Sequence, residues 1–517
     1  MKLNRNSVIN EKEAWEKAGV VLPDFDIEKM ISLTKDSPIW VHFGAGNIFK
    51  GYVANMQNKL LNMGLADKGI IAVDSSNGDQ LVKVYNPFDN LTLLVSLHAD
   101  GSSDKEVVAS IAEAIHADWS KDDQIARLKE IFRSPSLQIC SFTITEKGYS
   151  VRDIDAEELT CPKCVMGKVA ALLYERYAAG KYPMAVLSLD NCSHNGEKLR
   201  DSVLSIAKSW LDKGEADQGF IDYISDESVV SFPWSMIDKI TPRPNEDISK
   251  QLLDLGIEDM VVIPREKAAP CAPFVNCESS EYLVIEDNFP NGRPPLEKSG
   301  IYMTDRDTVN KTERMKVTTC LNPLHTAMSV CGCMLGYNRI FKEMEDEDIK
   351  GLVTRIGKVE GMPVVTNPGI IDPNDFLEDV LVNRLPNPYI PDMPQRIACD
   401  TSHKVPVRFG ETIKSYLASD TLDISSLECI PFAIAAWLRY LHATDDNGEA
   451  FELPEDPRIE ELQLKLKDGI DDILTDSTLF GADLTKTPLY EKIKYYYEKM
   501  LSGKGAVREA LHEAVNK

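Results

Sequence analysis

The stretch PIWVHFGAG, residues 38–46, decides the fold of this chain. It is an apolar run with the length of a buried strand, and it ends in two closely spaced glycines. Residues 51–63 then carry apolar side chains at helical spacing, and KGIIAVDSS, residues 68–76, has a second strand pattern that stops at Asp74. A strand, a glycine turn, a helix and a second strand in this order predict the opening of a doubly wound parallel sheet.

Strand and helix patterns continue to alternate through the first 300 residues. A helical pattern covers residues 168–179, and apolar strand patterns lie at residues 91–97, 138–144, 183–189, 261–266 and 282–287. Because this alternation is typical of a parallel sheet covered by helices, we predict the α/β class, with a Rossmann-type domain at residues 1–300.

A second domain is predicted after a linker. Residues 288–300, NFPNGRPPLEKSG, are rich in proline and glycine, as linkers often are. Helical periodicity dominates beyond them, in residues 325–344, 426–443 and 456–516. We therefore predict a mostly α-helical domain at residues 301–517.

The charge balance and the apolar runs limit the possible partners and location. The chain has 57 Lys and Arg against 82 Asp and Glu, a net charge of −25, and such a field repels the backbone of a nucleic acid. No apolar run approaches the ~20 residues of a membrane span, and the first residues lack the apolar core of a signal peptide. We expect a cytoplasmic protein with no nucleic-acid or membrane partner, whose 11 cysteines stay reduced.

Two close cysteine pairs could indicate a metal or redox site. These are Cys161 with Cys164 and Cys331 with Cys333. A structural zinc site needs a full ligand set, and a redox pair usually follows a strand, whereas an acidic segment precedes Cys161. We interpret both pairs as ordinary thiols and predict no metal site.

The glycine turn is a candidate dinucleotide site. Gly44, Gly46 and Gly51 follow the first strand and open a helix, where glycines let the backbone approach a pyrophosphate. Their spacing departs from G-x-G-x-x-G, so an ordinary glycine turn is an open alternative. Asp74 favours NAD, because an acid at that strand end binds ribose hydroxyls and repels the extra phosphate of NADP. The alternative is that Asp74 only caps a turn.

Six segments, taken in order, resemble the long-chain, zinc-independent polyol dehydrogenases. They are HFGAGNIFKG (42–51), TITEKGY (143–149), SLDNCSHNGEKLRD (188–201), FPWSMIDKITPRP (232–244), VIEDNFPNGRPPLE (284–297) and KVTTCLNPLHTA (316–327). This family includes mannitol 2-dehydrogenases, fructuronate reductases (D-mannonate oxidoreductases) and tagaturonate reductases. The resemblance implies a Rossmann-type domain followed by a helical domain, an NAD cofactor and a small sugar acid or polyol as substrate.

The resemblance also implies the residues of the site. Its Lys, Asn and His motif falls on Lys316, Asn322 and His325. The remaining implied catalytic residues are a second amide and a proton-relay acid, Asn191 and Glu313. The implied substrate-binding residues are Arg396 and Lys404, which stand at the family's eight-residue offset, together with Asn191 and His325. The implied cofactor-binding residues are Gly44, Gly46, Asn47, Phe49, Asp74, Thr145, Glu146 and Asp238.

These residue types suit the oxidation of a secondary alcohol to a ketone. An amine such as Lys316 can take the proton at working pH when burial and cationic neighbours favour its neutral form. The amides of Asn191 and Asn322 can stabilise the developing alkoxide. Each residue type alone has an ordinary alternative, namely a surface lysine, a helix cap and a core histidine, and the ordered segments favour the catalytic interpretation.

The sequence departs from the family pattern next to the lysine. Five residues separate Lys316 from Asn322, where the family usually has four, and Pro323 replaces the usual glycine. Because proline is best tolerated in a first helical turn, we expect Asn322 to cap a helix that begins at Pro323. One continuous helix would instead turn Lys316 by about 100° relative to the motif.

The substrate is the least determined part of the prediction. Arg396, Lys404 and Arg408 lie close in sequence, and paired cations suit a carboxylate as well as the hydroxyls of a polyol. We expect fructuronate reduction to D-mannonate, with mannitol 2-dehydrogenase and tagaturonate reductase activities as alternatives. A non-catalytic NAD-binding sensor is the alternative from another class. The sequence leaves open whether the protein is a monomer or a small homo-oligomer.

Overall fold

The computed structural model describes residues 1–266 and 268–517, which form two compact units. The N-terminal unit comprises Met1–His98 and Ser102–Asn310, and the C-terminal unit comprises Ala99–Gly101 and Lys311–Lys517. The predicted boundary between the two domains, at residue 300, stays a prediction.

The strands of the described residues all belong to the N-terminal unit. They are β1 (Val20–Val21), β2 (Trp40–Phe43), β3 (Ile70–Asp74), β4 (Thr92–Leu97), β5 (Ser103–Val108), β6 (Ile111–His116), β7 (Ile139–Phe142), β8 (Met184–Ser188), β9 (Val230–Ser231), β10 (Ser235–Asp238), β11 (Ile263–Arg265), β12 (Ala268–Cys271), β13 (Phe274–Glu278), β14 (Tyr282–Glu286) and β15 (Tyr302–Thr304).

The α-helices occur in both units. They are α1 (Arg5–Asn10), α2 (Lys12–Lys17), α3 (Ile27–Asp36), α4 (Ala54–Asn62), α5 (Asp122–Arg133), α6 (Val165–Gly180), α7 (Asn195–Asp212), α8 (Gln218–Ser225), α9 (Glu246–Asp254), α10 (Arg306–Met315), α11 (Asn322–Met334), α12 (Ile340–Glu343), α13 (Glu347–Arg355), α14 (Pro373–Asp379), α15 (Pro394–Ile397), α16 (Thr401–Val405), α17 (Glu411–Leu417), α18 (Cys429–Tyr440), α19 (Ile459–Lys465), α20 (Asp471–Leu474), α21 (Ser477–Phe480), α22 (Leu489–Met500) and α23 (Ala506–Asn516).

Shorter helical turns of two other kinds complete the chain. The π-helical turns are Phe49–Val53, Leu81–Tyr85, Lys316–Cys320, Ile356–Gly361, Val380–Arg384 and Pro406–Gly410. The 3₁₀ turns are Asn86–Phe88, Glu146–Tyr149, Leu296–Ser299, Met362–Val364, Ile424–Ser426, Leu466–Asp468 and Leu484–Lys486.

The central sheet of the N-terminal unit has six parallel strands in the order β6-β3-β2-β7-β8-β9. Successive side chains of each strand face opposite sides of the sheet. In β2, Val41 and Phe43 join the core on one face, where α5, α6 and α7 also pack, while Trp40 joins the core on the other face with α4. Burial on both faces explains why β2, β3, β7 and β8 are mostly apolar. The predicted doubly wound sheet is confirmed.

Three of the predicted strands lie in other sheets. The pattern at 91–97 is β4, which pairs antiparallel with β5 and parallel with β13 in a four-stranded sheet. The pattern at 261–266 contains β11, which pairs antiparallel with β12. The pattern at 282–287 contains β14, which lies between β10 and β15. An apolar pattern indicates a strand, whereas its partners depend on tertiary packing.

Within the described residues, the elements of the C-terminal unit are all helical apart from one isolated bridge between Thr444 and Ala450, and loops connect them. Helix α18 is its centre, because every residue of Cys429–Tyr440 is buried. It contacts α11 on one side and α22 on another. The predicted mostly helical second half is confirmed. In the described residues, no helix is both long and apolar enough to cross a membrane.

Lys50 is a buried cation of the N-terminal unit. It follows the glycine turn, and its side chain is fully buried. The amine donates to the carbonyl oxygen of Ala272 at 3.0 Å and lies 5.9 Å from the centre of the Tyr85 ring. Burial lowers the pKa of Lys50 to about 8, since the charged form is poorly solvated there.

Replacing Lys50 by methionine is expected to stabilise the protein near neutral pH. The shift of Lys50 from about 10.5 to about 8 corresponds to roughly 3 kcal/mol, and the lost bond to Ala272 opposes it by about 1 kcal/mol. The folded pKa lies below the unfolded one, so the wild-type chain gains stability relative to Lys50→Met as pH rises from about 8 to about 10.5. Urea unfolding of both proteins at the two ends of this range measures the effect. A variant that is less stable at both ends would contradict it.

Candidate active site

In the turn after β2, the first glycine has no room for a side chain, whereas the second has room for one. Gly44 has φ +116°, and a Cβ there would lie 2.2 Å from the carbonyl oxygen of Thr143. Its amide donates to the carbonyl oxygen of Val73 at 2.9 Å, which fixes the turn against β3. A Cβ on Gly46 would meet no atom within 4 Å. The turn therefore leaves room for a phosphate beside Gly46, as a dinucleotide site requires.

Asp74 is the last residue of β3, and in the described residues only one of its two carboxylate oxygens accepts hydrogen bonds. Oδ1 accepts from the backbone N–H of Ser76 at 2.7 Å and from its hydroxyl. Oδ2 is buried and has no hydrogen-bond partner in the described part of the chain. The turn-capping alternative thus accounts for one oxygen, and the other is an acceptor that a ribose hydroxyl would satisfy.

A cavity of about 800 Å³ lies beside the ends of β3 and β6. Its lining includes Asn77, Gly78, Lys83, His116, Lys121 and Gln124. It lies where the adenosine half of a dinucleotide would extend from the glycine turn past the second strand.

Two other predicted cofactor residues support the glycine turn from within the protein. Phe49 is fully buried and stacks on His42, with ring centres 4.2 Å apart. Burial lowers the pKa of His42 to about 3, so this ring is neutral. The Asn47 amide donates to the carbonyl oxygen of Pro242 at 3.0 Å. Contact of Phe49 or Asn47 with the cofactor stays a prediction.

The Asp190 carboxylate organises the turn after β7. It accepts from the backbone N–H groups of Ile144 and Thr145, at 3.0 and 2.8 Å, and from the Tyr149 hydroxyl at 2.6 Å. Thr145 is held at φ +66°, a conformation that needs such support in a residue with a Cβ. Asp190 was not among the residues predicted from sequence, although an acid that closely follows a buried strand pattern is a usable signal for such a position.

The remaining candidates of the N-terminal unit differ in exposure. Glu146 is exposed and forms an ion pair with Lys198. Asn191 is exposed on the loop after β8. Asp238 is buried at the end of β10. Asn195, also overlooked, ties these last two segments together, because its amide donates to the carbonyl oxygens of both Asp190 and Ser235.

The helix that carries Asn322 and His325 begins one residue earlier than predicted. Helix α11 starts at Asn322 itself, Pro323 is its second residue, and Leu321 precedes it without a side-chain cap. The expectation that Asn322 caps this helix is therefore wrong. The reason is the π-helical turn Lys316–Cys320, in which the amide of Leu321 donates to the carbonyl oxygen of Lys316 at 3.1 Å. Such a turn takes up an extra residue, so the continuous helix is not formed either.

The motif lysine is buried, and its neighbours are half-buried. Lys316 is 2% exposed, which is unusual for a lysine. Glu313 lies three residues before it, at the end of α10, and is half-buried. Asn322 and His325 are half-buried, and their spacing places both on one face of α11. The π-helical turn packs against α11, and a shared site for these side chains stays a prediction.

The two predicted substrate-binding cations have different surroundings. Arg396 has a side chain that is 68% exposed and is paired with Asp392. Lys404 is half-buried, and its amine donates to the carbonyl oxygens of Ile397 and Cys399. Burial and the positive charge of Arg408 lower the pKa of Lys404. Contact of either side chain with substrate stays a prediction.

The cysteine pairs show no sign of a shared ligand. Cys161 is exposed and Cys164 is half-buried, whereas Cys331 and Cys333 are both buried. Within the described residues no group of three or more His, Cys, Asp or Glu side chains is placed to hold a metal ion. Metal independence stays a prediction.

The two glycines of the turn are expected to respond differently to alanine. Gly44→Ala should lower the free energy of unfolding by more than ~1 kcal/mol, because its Cβ would collide with a backbone oxygen. Gly46→Ala should leave stability within about 0.5 kcal/mol of wild type and weaken NADH binding at least ~10-fold, because its Cβ would enter the space meant for the pyrophosphate. Urea unfolding and NADH fluorescence titration measure these effects. Unchanged NADH binding by Gly46→Ala would exclude this turn as the phosphate site.

Comparisons with known proteins match both halves of the chain. The Mannitol dehydrogenase Rossmann domain matches residues 38–298, and the Mannitol dehydrogenase C-terminal domain matches residues 308–501. The chain is similar to a D-mannonate oxidoreductase of Thermotoga maritima, with 49% identity over 100% of this chain and 99% of that protein. It is also similar to a mannitol 2-dehydrogenase of Pyrenophora tritici-repentis, with 30% identity over 86% of this chain and 76% of that protein.

Solved structures give the same result. A Pseudomonas fluorescens mannitol 2-dehydrogenase, in a ternary complex with NAD and D-mannitol, has a TM-score of 0.72 and 28% identity, with 100% of both chains covered. A D-sorbitol dehydrogenase in substrate-free form has a TM-score of 0.79 and 25% identity, over 96% of this chain and 98% of that one. Since both domain models match and the similarity runs from end to end, this chain belongs to the mannitol dehydrogenase family.

Proposed function

We propose that this protein is an NAD-dependent D-mannonate oxidoreductase, which interconverts D-mannonate and D-fructuronate. The observation that carries the proposal is the 49% identity to a D-mannonate oxidoreductase over the full chain, against about 30% for mannitol 2-dehydrogenases. The buried Lys316, which precedes Asn322 and His325 in the motif, supports an active enzyme, since buried ionisable side chains are frequent at catalytic sites.

The residues of the N-terminal unit fit a bound NAD. Gly46 leaves space for the pyrophosphate, and the buried Oδ2 of Asp74 needs the donor that a ribose hydroxyl provides. NAD, when bound, supplies the acceptor for the hydride of the substrate's secondary alcohol. Asp190 keeps the turn that carries Thr145 in place at the same edge of the sheet.

Lys316 takes the proton in the proposed reaction. Because its side chain is almost entirely buried, the proton needs a route to solvent, and the half-buried Glu313 one helical turn earlier is the proposed relay. Asn322, together with Asn191, donates hydrogen bonds to the oxygen as negative charge develops on it. His325 binds a substrate hydroxyl. In the direction of ketone reduction, Lys316 returns the proton.

The proposal also covers the cellular location and the oligomeric state of the protein. Its substrate is a small sugar acid, and we propose that it acts in the cytoplasm as a monomer or small homo-oligomer. Support for the location comes from the free thiols of Cys140, Cys271, Cys320 and Cys429, since a reducing compartment keeps thiols in this form.

Purified protein with NADH and each of three ketoses tests the proposed substrate. Loss of NADH absorbance should be fastest with D-fructuronate and slower with D-fructose or D-tagaturonate. Faster turnover of D-fructose would favour a mannitol 2-dehydrogenase, and faster turnover of D-tagaturonate would favour a tagaturonate reductase. NADH binding without turnover of any ketose would favour the non-catalytic sensor.

Lys316→Ala is expected to reduce kcat for D-fructuronate reduction at least ~100-fold, because the variant has lost its general acid. Lys342→Ala is the matched control, since Lys342 is an exposed lysine of the same unit that pairs with Glu345. Steady-state kinetics of both variants give the comparison. Turnover of Lys316→Ala close to that of the control would remove Lys316 from the mechanism.

Asp74→Ser is expected to relax the choice of cofactor. The ratio of kcat/KM with NADPH to that with NADH should rise at least ~10-fold, because the acid that repels the additional phosphate is gone. The melting temperatures of variant and wild type serve as a control for folding. An unchanged ratio in a folded variant would show that Asp74 does not face the ribose.

A further inference from the structure

Arg408 is a half-buried cation without an acidic partner in the described residues. It lies in the π-helical turn Pro406–Gly410, and its Nη1 donates to the hydroxyl of Thr326. Burial lowers the pKa of Arg408 to about 10. Lys404 lies one helical turn before it and likewise forms no ion pair in the described part of the chain. Arg408 therefore has no carboxylate partner among the described residues, while Asp400 acts on Lys404 without forming an ion pair and raises its pKa less than burial lowers it.

Two other arginines show how a guanidinium is satisfied within this protein. Arg293 pairs with Asp287 and Glu297. Arg176, which is fully buried, donates to the backbone carbonyl oxygens of Phe132, Ser134, Leu137, Tyr182 and Pro183.

Among the described residues, Arg408 has a single hydrogen bond, to a neutral hydroxyl, so most of its N–H donors are available to a ligand. The chain has 82 acidic residues, so the absence of a partner here does not reflect a shortage of acids. A desolvated charge without a counter-ion is costly, and a bound anion would remove that cost.

Arg408 is hydrogen-bonded to α11, the helix that carries Asn322 and His325. Thr326 lies four residues after Asn322 and directly after His325, so the spacing places Thr326 on the same face of α11 as Asn322. The π-helical turn of Arg408 also packs against α11 and against Lys316–Cys320. All of these residues belong to the C-terminal unit. The available guanidinium donors are therefore next to the proposed proton-transfer residues.

We infer that Arg408 binds the carboxylate of the sugar acid and so selects sugar acids over neutral polyols. This inference rests on the proposed D-mannonate oxidoreductase function and names the residue that gives it its specificity. A guanidinium can bind a carboxylate through two parallel hydrogen bonds, which an ammonium cannot do. Lys404, whose amine is held by two carbonyl oxygens, keeps the local potential positive.

Arg408→Met tests the inference with two substrates that differ at one group. The variant should lower kcat/KM for D-fructuronate at least ~100-fold, because a buried carboxylate loses its partner. It should change kcat/KM for D-fructose, which has no carboxylate, less than ~5-fold. Arg408→Lys, which keeps the charge without the planar fork, should fall between wild type and Arg408→Met. Arg339→Met, at an exposed arginine of the same unit, is the matched control and should behave as wild type.

A binding measurement separates a specific role from a structural one. D-mannonate should raise the melting temperature of the wild type and of Arg339→Met, and should not raise that of Arg408→Met. The ligand-free melting temperature of Arg408→Met should equal or exceed that of the wild type, because an unpaired charge has been removed. Added guanidinium ion should restore part of the D-fructuronate turnover of Arg408→Ala.

The outcomes distinguish this inference from the proposed function. Suppose that the wild type reduces D-fructuronate and that Arg408→Met lowers kcat/KM equally for both substrates, or for neither. Arg408 is then not the carboxylate site, and the proposed function is unaffected. If the wild type reduces D-fructose and not D-fructuronate, the proposed function fails, and the inference fails with it.

Discussion

The parallel direction of β2, β3, β7 and β8 is the constraint on which the N-terminal unit depends. Because parallel strands end at the same edge of a sheet, Gly44, Asp74, Thr145 and Asn191 follow strand ends on one edge although they are far apart in sequence. The strands themselves are mostly apolar and are buried on both faces, so the candidate polar groups lie at the strand ends and in the turns that follow them. Asp190 then stabilises this edge by holding the positive-φ turn after β7.

A backbone irregularity has a comparable role in the C-terminal unit. The turn from Lys316 to Cys320 has π-helical hydrogen bonding, which takes up one residue more than an α-helical turn. This allows five residues between Lys316 and Asn322 while both stay next to α11. The π-helical turn therefore accommodates the additional residue, and a catalytic role for the motif stays a prediction.

The hydrogen-bond partners of a buried cation indicate whether its role is structural or functional. Arg176 is buried with its donors satisfied by backbone carbonyl oxygens, which is a structural arrangement. Lys50 is buried with one carbonyl partner and a pKa of about 8, so its charge is costly. Arg408 has one neutral partner and open donors beside the motif helix, which is the arrangement expected of an anion site.

The sequence by itself determined the strands around residues 38–46 and 68–76, the acid at Asp74 and the helical second half, because periodicity and turn residues are local properties. Ordered motifs also identified the family. Tertiary structure alone decided that residues 91–97 join another sheet, that α11 begins at Asn322, and that Arg408 has no acidic partner within residues 1–266 and 268–517. The reason is that strand pairing, the accommodation of an extra residue and the neutralisation of a charge all depend on groups that are distant along the chain.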